Sequence, residues 1–170
     1  MTGKSRLLGA LIVLCGLAVA PHPSPAQESG DGAAKGPLWS SRCTAVSRQT
    51  PVDCLIEQRA VITKTGQLLV QVTVRVPAET KKPVMMVQVP LGPFLPGGLV
   101  LDIDGKNNVK LDFQTCDANG CYAATPVSED LLGALFAGHK LNVTVQALNK
   151  NPIQVPMDLA GFTAAYRNIQ

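Results

Sequence analysis

The stretch that decides the fold is CDANGC, residues 116–121, in which two cysteines enclose four turn-forming residues. Asn119 and Gly120 tolerate positive φ, so the segment can reverse the chain and bring Cys116 opposite Cys121 in a β-hairpin. Directly opposed residues of an antiparallel pair lie about 4.5 to 5.5 Å apart between Cα atoms, a separation that a disulfide bond spans. The segment therefore predicts a hairpin closed by a disulfide bond.

Two other chemistries use closely spaced cysteines. Structural zinc sites bring cysteines two to four residues apart in paired clusters, often with histidine, and the chain offers no such pair of clusters. Thioredoxin-type exchange uses CxxC at a helix N-terminus, whereas CDANGC has four intervening residues. A structural disulfide is the favoured interpretation, with redox and metal roles as alternatives.

The N-terminal segment has the layout of a secretory signal peptide. Lys4 and Arg6 precede an apolar run over residues 7–20, which is shorter than the roughly 20 residues that span a bilayer. Small residues at Ser24 and Ala26 suit a signal peptidase and predict a leader over residues 1–26. We therefore expect export to the periplasm, with outer-membrane association or secretion as further outcomes, and no transmembrane helix after cleavage.

Cys15 lies within this apolar run and raises the alternative of lipid attachment, as in exported lipoproteins. A lipoprotein peptidase requires a small residue before the acylated cysteine, and Leu14 stands there. Cys15 is therefore expected to leave with the leader.

Four cysteines remain after cleavage, and an even number outside the cytoplasm indicates disulfide bonds. Three pairings are formally open. TAVSRQTPVD, between Cys43 and Cys54, can fold back at Thr50-Pro51 and makes these two the natural second pair. In the chain-entropy model, closing loops of these lengths contributes about 2 kcal/mol for the Cys116 pair and about 3 kcal/mol for the Cys43 pair.

The rest of the chain is patterned as short strands after a polar, Gly-rich arm at residues 27–38. Val70, Val72, Val74 and Val76 alternate with polar residues, the period of a strand with one buried face. Further strands are predicted at residues 55–63, 84–89, 99–104, 109–116, 141–147 and 153–159, with Pro156 suiting an edge. About eight strands at short spacing predict one all-β domain over residues 39–170, mainly antiparallel, a sandwich or barrel.

One short helix is expected between the strands. Ser128 can cap it, Glu129 and Asp130 complement the helix dipole in the first turn, and Gly138 ends it. Its predicted apolar face consists of Leu131, Leu132, Leu135 and Phe136.

Residues for catalysis are scarce. Removal of Lys4 and Arg6 with the leader lowers the formal charge from +3 to +1. The chain has no basic run, so we expect no binding to nucleic acid. The lone mature histidine, His139, directly follows the helix, where a helix-end role is favoured over catalysis. We expect no catalytic residue, no metal and no cofactor; an enzyme with a site at Asp102 and Asp104, near Lys106, is the alternative.

For two pairs of residues we favour a structural role over a chemical one. Asp102 and Asp104 are expected on a solvated outer face of a strand. Met85 and Met86 are expected to fill the core rather than to bind a soft metal.

The most unusual local sequence is VPLGPFLPGG, residues 89–98, which is rich in proline and glycine and carries Leu91, Phe94 and Leu95. An ordered loop with apolar side chains is a candidate site for binding a partner. The alternative, equally favoured, is that the loop crosses from one sheet to the other and buries these side chains itself.

Together these segments resemble the invasion-associated locus B family of exported alphaproteobacterial proteins. The resemblance covers Trp39 to about Ile169 and is carried by Trp39, Cys43, CLIEQ (54–58), VPLG (89–92), GGLVLDIDG (97–105), CDANGC (116–121), SEDLLGALFAG (128–138) and LAGFTAAY (159–166). It implies a periplasmic or envelope-associated β-rich domain and no reaction, cofactor or catalytic residue.

The leading hypothesis is a non-enzymatic interaction module, held by two disulfide bonds, that binds an envelope component or a host-facing protein. A periplasmic hydrolase or binding protein with a carboxylate site is one alternative, and a thiol oxidoreductase is another. The sequence leaves the oligomeric state open.

Overall fold

The computed structural model describes residues 38–45 and 52–170. The predicted leader, nearly all of the predicted arm, Cys15 and the proposed turn at Thr50-Pro51 lie outside these residues and stay predictions.

Ten strands form two antiparallel sheets within the described residues. The strands are β1 (Ser40–Thr44), β2 (Asp53–Val61), β3 (Leu68–Val76), β4 (Val84–Val89), β5 (Leu99–Ile103), β6 (Lys106–Leu111), β7 (Thr115–Asp117), β8 (Gly120–Pro126), β9 (Lys140–Gln146) and β10 (Pro152–Asp158). One sheet has the order β1-β2-β3-β4-β8-β7 and the other β10-β9-β5-β6. The predicted all-β, mainly antiparallel sandwich is confirmed.

The core lies between the two sheets. Val70, Val72, Val74 and Val76 on β3 are all buried, as their alternation predicts, because successive side chains of a strand point to opposite faces. They belong to one apolar cluster with residues of the second sheet, among them Leu101 on β5. Burying one such side chain stabilises the fold by about 1.5 to 3 kcal/mol.

One predicted strand is wrong in extent. Residues 109–116 form no single strand, because Asp112 to Gln114 carry the chain from β6 in one sheet to β7 in the other. Pro156, as expected, lies on an edge strand, β10, where no neighbour needs its missing N–H.

The predicted helix is α1 (Glu129–Ala137), with the predicted ends. The N–H of Leu131 donates to Ser128 Oγ at 3.2 Å, and the N–H of Gly138 donates to the carbonyl oxygen of Ala134 at 2.8 Å. A second helix, α2 (Phe162–Arg167), was not predicted.

Four aromatic rings pack together at the end of the sandwich that carries the helices. Trp39, just before β1, contacts Phe162 of α2, and Phe136 of α1 contacts both Phe162 and Tyr166. The Trp39 Nε1–H also donates to the carbonyl oxygen of Asp158 at 2.9 Å. The cluster therefore fastens β1, α1 and α2 to one another.

The two predicted disulfide bonds are present, and they lie at opposite edges of the six-stranded sheet. Cys43–Cys54 joins β1 to β2, and Cys116–Cys121 joins β7 to β8. Both pairs are directly opposed, with Cα atoms 4.0 Å apart, as in the closer, non-hydrogen-bonded type of antiparallel pair. Each edge strand, which has a neighbour on only one side, is thus covalently fixed to that neighbour.

Candidate interaction surface

In the described part of the chain, five strand connections lie at the end of the sandwich opposite the helices, and three of them carry exposed large apolar side chains: residues 62–67, 90–98 and 147–151. The second and third are joined directly, because Pro93 pairs with Ala147 and the N–H of Phe94 donates to the carbonyl oxygen of Gln146 at 2.8 Å. The ammonium of Lys150 lies 5.3 Å from the centre of the Phe94 ring.

Exposed apolar side chains are concentrated on these connections and the adjoining strand ends. Of the ten large apolar side chains exposed in the described residues, six lie here, so they are not scattered over the surface. We call this surface the apolar end; its exposed members are Val61, Ile62, Leu91, Leu95, Leu148 and Ile153. Leu91 is 60% exposed and Leu148 74% exposed.

The apolar end surrounds a cavity of about 150 Å³ between the two sheets. Leu69 of β3, Leu91 of the loop, and Ile153 and Val155 of β10 are among its lining residues, which are mostly apolar. An apolar cavity of about this volume holds a molecule the size of benzene. The geometry therefore provides a receptor for one apolar group, bordered by exposed apolar side chains.

Glycine and proline determine the course of the 90–98 loop. Gly98 has φ +64, and a Cβ there would lie 2.4 Å from the carbonyl oxygen of Leu111. The loop does cross from the six-stranded to the four-stranded sheet, as one of the two interpretations held. The loop buries its apolar side chains only in part, since Phe94 is half-buried while Leu91 and Leu95 are exposed. Partner binding by these three residues stays a prediction.

The three segments that carry the exposed apolar side chains are positively charged. Residues 59–69, 89–98 and 145–155 contain Arg59, Lys64 and Lys150, all exposed, and no carboxylate. Asp112 and Asp117 flank this surface on the side of β6 and β7. The carboxylate of Asp117 accepts hydrogen bonds from the N–H of Asn119 and from Tyr122 Oη, and the former in particular lowers the pKa of Asp117.

Asp102 is not on a solvated face, and that prediction is wrong. It is 7% exposed, and its Oδ1 accepts hydrogen bonds from the N–H of Gly105 at 2.8 Å and from Asn142 Nδ2 at 2.7 Å. The reason lies in the register, because Asn142 of β9 stands directly opposite Asp102 and the next turn folds back over it. This carboxylate therefore closes the β5–β6 turn.

Asp104 has a different set of partners. Its carboxylate accepts hydrogen bonds from the backbone N–H groups of His139 and Lys140, both at 2.9 Å. These bonds, that of His139 first, lower the pKa of Asp104. The imidazole Nδ1 of His139 is 3.5 Å from the carboxylate, but this side chain is 88% exposed. Asp104 thus joins the β5–β6 turn to the chain after α1.

The predicted carboxylate site is not assembled as one unit. Asp102 and Asp104 accept hydrogen bonds from separate groups. Neither these two carboxylates nor Lys106 or His139 line the cavity at the apolar end. No group of three or more histidine, cysteine, aspartate or glutamate side chains that could hold a metal occurs in residues 38–45 and 52–170. In the same residues, no helix is long and apolar enough to cross a membrane.

Two further depressions have larger volumes. One, of about 400 Å³, lies on the outer face of the six-stranded sheet and is lined by Leu55, Val84 and Met86, with the Asp53–Arg75 ion pair beside them. Met86 is 37% exposed there, so the expectation that both methionines fill the core holds for Met85 only. The other, of about 410 Å³, separates β1 from α2.

Comparison with known proteins identifies the family. A sequence model described as "Invasion associated locus B (IalB) protein" matches residues 39–170. The chain belongs to the invasion-associated locus B family. The resemblance seen in the sequence motifs is confirmed.

Relatives in this family support the assignment. Two Brucella abortus proteins, from strain 2308 and from biovar 1 strain 9-941, are each called an Invasion protein B homolog. Each is 31% identical over 133 residues, which cover 78% of this chain and 75% of the relative. The crystal structure of invasion associated protein B from Bartonella henselae has a TM-score of 0.68 at 21% identity, covers 78% of this chain and 92% of its own, and shows the same fold.

Sequence reasoning found part of the apolar end and missed the rest. The alternation that Ile153 shares with Val155 and Met157 predicts a buried side chain, but Ile153 is exposed at the edge of the sheet. Leu148 was left out, although a leucine inside the polar turn LNKNP is a signal of apolar exposure.

Proposed function

We propose that this protein is an exported, non-enzymatic component of the cell envelope that acts by docking its apolar end onto another envelope component. The observation that carries the proposal is the concentration of exposed apolar side chains around an apolar cavity at one end of the sandwich. A monomeric domain gains nothing in its own stability from holding Leu91 and Leu148 in water.

Export is supported by the predicted leader and by the two disulfide bonds, which persist in oxidising compartments such as the periplasm. The relatives' names refer to invasion, which is said of those proteins. They name no reaction. Our proposal is limited to docking in the envelope and leaves host-cell entry aside.

Photo-crosslinking in intact cells tests the docking surface. A benzophenone amino acid replaces Leu91 at the apolar end or, as a matched control, Lys82 in the connection between β3 and β4 at the other end. We expect light-dependent adducts from position 91 and few from position 82. Equal adducts from both positions, or none from position 91 in correctly exported protein, would refute the proposal.

Complementation tests the non-enzymatic part. The variants Asp104→Asn and His139→Ala alter the polar groups closest to a catalytic pair, and both side chains are solvent-accessible. A strain lacking the protein is expected to lose envelope integrity, and either variant should restore it as well as the unaltered chain does. Loss of complementation by a variant that folds normally would favour an enzyme.

A further inference from the structure

The three cationic residues of the apolar end alternate with its exposed apolar side chains. Arg59 precedes Val61, Lys64 follows Ile62, and Lys150 follows Leu148. None of these cations belongs to an ion pair within the part of the chain that the structure describes. Two of the three connections, residues 62–67 and 147–151, thus present an apolar side chain beside a positive charge without an ion-pair partner among the described residues.

From this arrangement we propose that the apolar end docks onto the surface of an anionic phospholipid bilayer. This inference rests on the proposed function and names the envelope component. Exposed leucine and isoleucine side chains would enter the boundary between headgroups and acyl chains, as the apolar faces of interfacial proteins do. The lysines, with long aliphatic stems, would keep their ammonium groups at the phosphates.

Charge complementarity selects an anionic surface. The three segments around the cavity carry three cations and no carboxylate. Asp112 and Asp117 lie at the same end but on the side of β6 and β7, so the positive charge is concentrated on the side of β2 and β10. Asp104 and Asp158 lie at the helical end. Basic groups close to an anionic leaflet are attracted over about one Debye length, so this end faces the membrane first.

The shape of the surface also fits a fluid partner. Its apolar side chains belong to three separate connections and the adjoining strand ends around a cavity rather than to one continuous groove. Mobile lipid can contact each projecting side chain, and the mouth of the cavity, beside Leu91 and Ile153, leaves room for the end of an acyl chain.

Sedimentation with vesicles tests the proposal on the processed protein purified from the periplasm. Vesicles contain phosphatidylcholine alone or phosphatidylcholine mixed with phosphatidylglycerol. We expect binding to the mixed vesicles, weaker binding at high salt, and little binding to phosphatidylcholine. Leu91→Ser combined with Leu148→Ser should abolish binding, and Lys64→Gln should lower the partition coefficient roughly fivefold. Both leucines and Lys64 are exposed, so folding should be unaffected.

The matched control combines Met86→Ser with Lys82→Gln, which removes an exposed apolar side chain and a cation away from the apolar end. It should bind like the unaltered protein. A tryptophan reporter, Leu148→Trp, should shift its emission to shorter wavelength on mixed vesicles. The single native tryptophan, Trp39, is buried at the helical end and should not respond.

The inference would be overturned if the protein did not bind mixed vesicles, if the control variant lost binding to the same extent, or if binding did not depend on lipid charge and salt. A discrete protein adduct from the Leu91 crosslinker in cells, together with no vesicle binding, would leave the docking function standing with a protein partner. Absence of both would refute the docking function as well. Self-association that the leucine variant removes would assign the surface to a second copy and would also overturn the inference.

Discussion

The ring of Trp39 meets the ring of Phe162 edge to face, with ring centroids 4.9 Å apart and the planes at 79°. Trp39 directly precedes β1 and Phe162 opens α2, so this contact joins the two ends of the described chain. Edge-to-face pairs add about 0.5 to 1.5 kcal/mol beyond the area they bury. The indole N–H bond to Asp158 then fixes the ring's orientation.

Replacing Trp39 should therefore be among the most destabilising single changes. We expect Trp39→Ala to lower the free energy of unfolding by about 3 to 5 kcal/mol, because it empties a buried aromatic site. Trp39→Phe retains a ring against Phe162 and loses the hydrogen bond to Asp158, so its effect should be smaller. Urea unfolding followed by circular dichroism measures both, and equal effects would mean that ring packing is not what stabilises this contact.

The disulfide bonds should contribute separately, because they fix opposite edges of one sheet. Replacing both cysteines by serine is expected to lower the free energy of unfolding by about 2 kcal/mol for Cys116 and Cys121 and about 3 kcal/mol for Cys43 and Cys54. Urea unfolding of the two double variants and of their combination measures this. Sites this far apart should be additive, and a combined loss far from the sum would show that the two edges are coupled.

How far the sequence predicts this structure depends on how local the signals are. The valine alternation of β3, the cap at Ser128 and the turn between Cys116 and Cys121 all lie within a few residues, and each predicted its element. Helix α2 has six residues, and its first position is preceded by Gly161, which makes no side-chain cap. The sequence therefore has no capping side chain that would mark the start of α2.

Burial at the candidate site could not be deduced from local pattern. Asp102 is buried because Asn142, 40 positions later in the chain, stands opposite it. Ile153 is exposed because β10 ends the order of its sheet, although its alternation matches that of a buried strand. Both outcomes depend on strand order, which the sequence did not fix. The loop residue Leu91 was found because proline and glycine mark an ordered loop.

Two glycines provide a matched test of local backbone requirements. Gly120 has φ +145, and a Cβ there would lie 2.2 Å from the carbonyl oxygen of Val89. Gly133 lies on the exposed side of α1 with nothing within 4 Å of a Cβ. Gly120→Ala should therefore lower the thermal midpoint, and Gly133→Ala should raise the free energy of unfolding by about 0.5 to 1 kcal/mol, the helix preference for alanine. Thermal and urea unfolding measure these effects, and stabilisation by Gly120→Ala would contradict the geometry.

Gln58 places an amide in the core. It is buried on the inner face of β2, opposite Val72, and its Oε1 accepts no hydrogen bond in the described part of the chain. A buried acceptor without a donor costs about 1 to 3 kcal/mol. Gln58→Met, which keeps the length and removes the amide, should raise the free energy of unfolding by about 1 kcal/mol. A marked loss of stability in urea unfolding would show that the amide has a structural role beyond these contacts.

Acid should destabilise the fold through Asp104. Hydrogen bonds from the N–H groups of His139 and Lys140 hold the pKa of Asp104 below the value of about 3.9 of an unfolded chain. The ionised carboxylate therefore favours the folded state above that value, and this contribution is lost as pH falls through the lower, folded pKa. We expect Asp104→Asn to be less stable than the unaltered protein at neutral pH, with the difference shrinking below about pH 4. Urea midpoints between neutral pH and pH 3 measure this.

The matched control is Glu79→Gln, which alters an exposed carboxylate without a hydrogen bond among the described residues. This variant should differ little in stability from the unaltered protein at neutral pH. A constant difference between Asp104→Asn and the unaltered chain across the whole range would mean that the charge of Asp104 does not contribute.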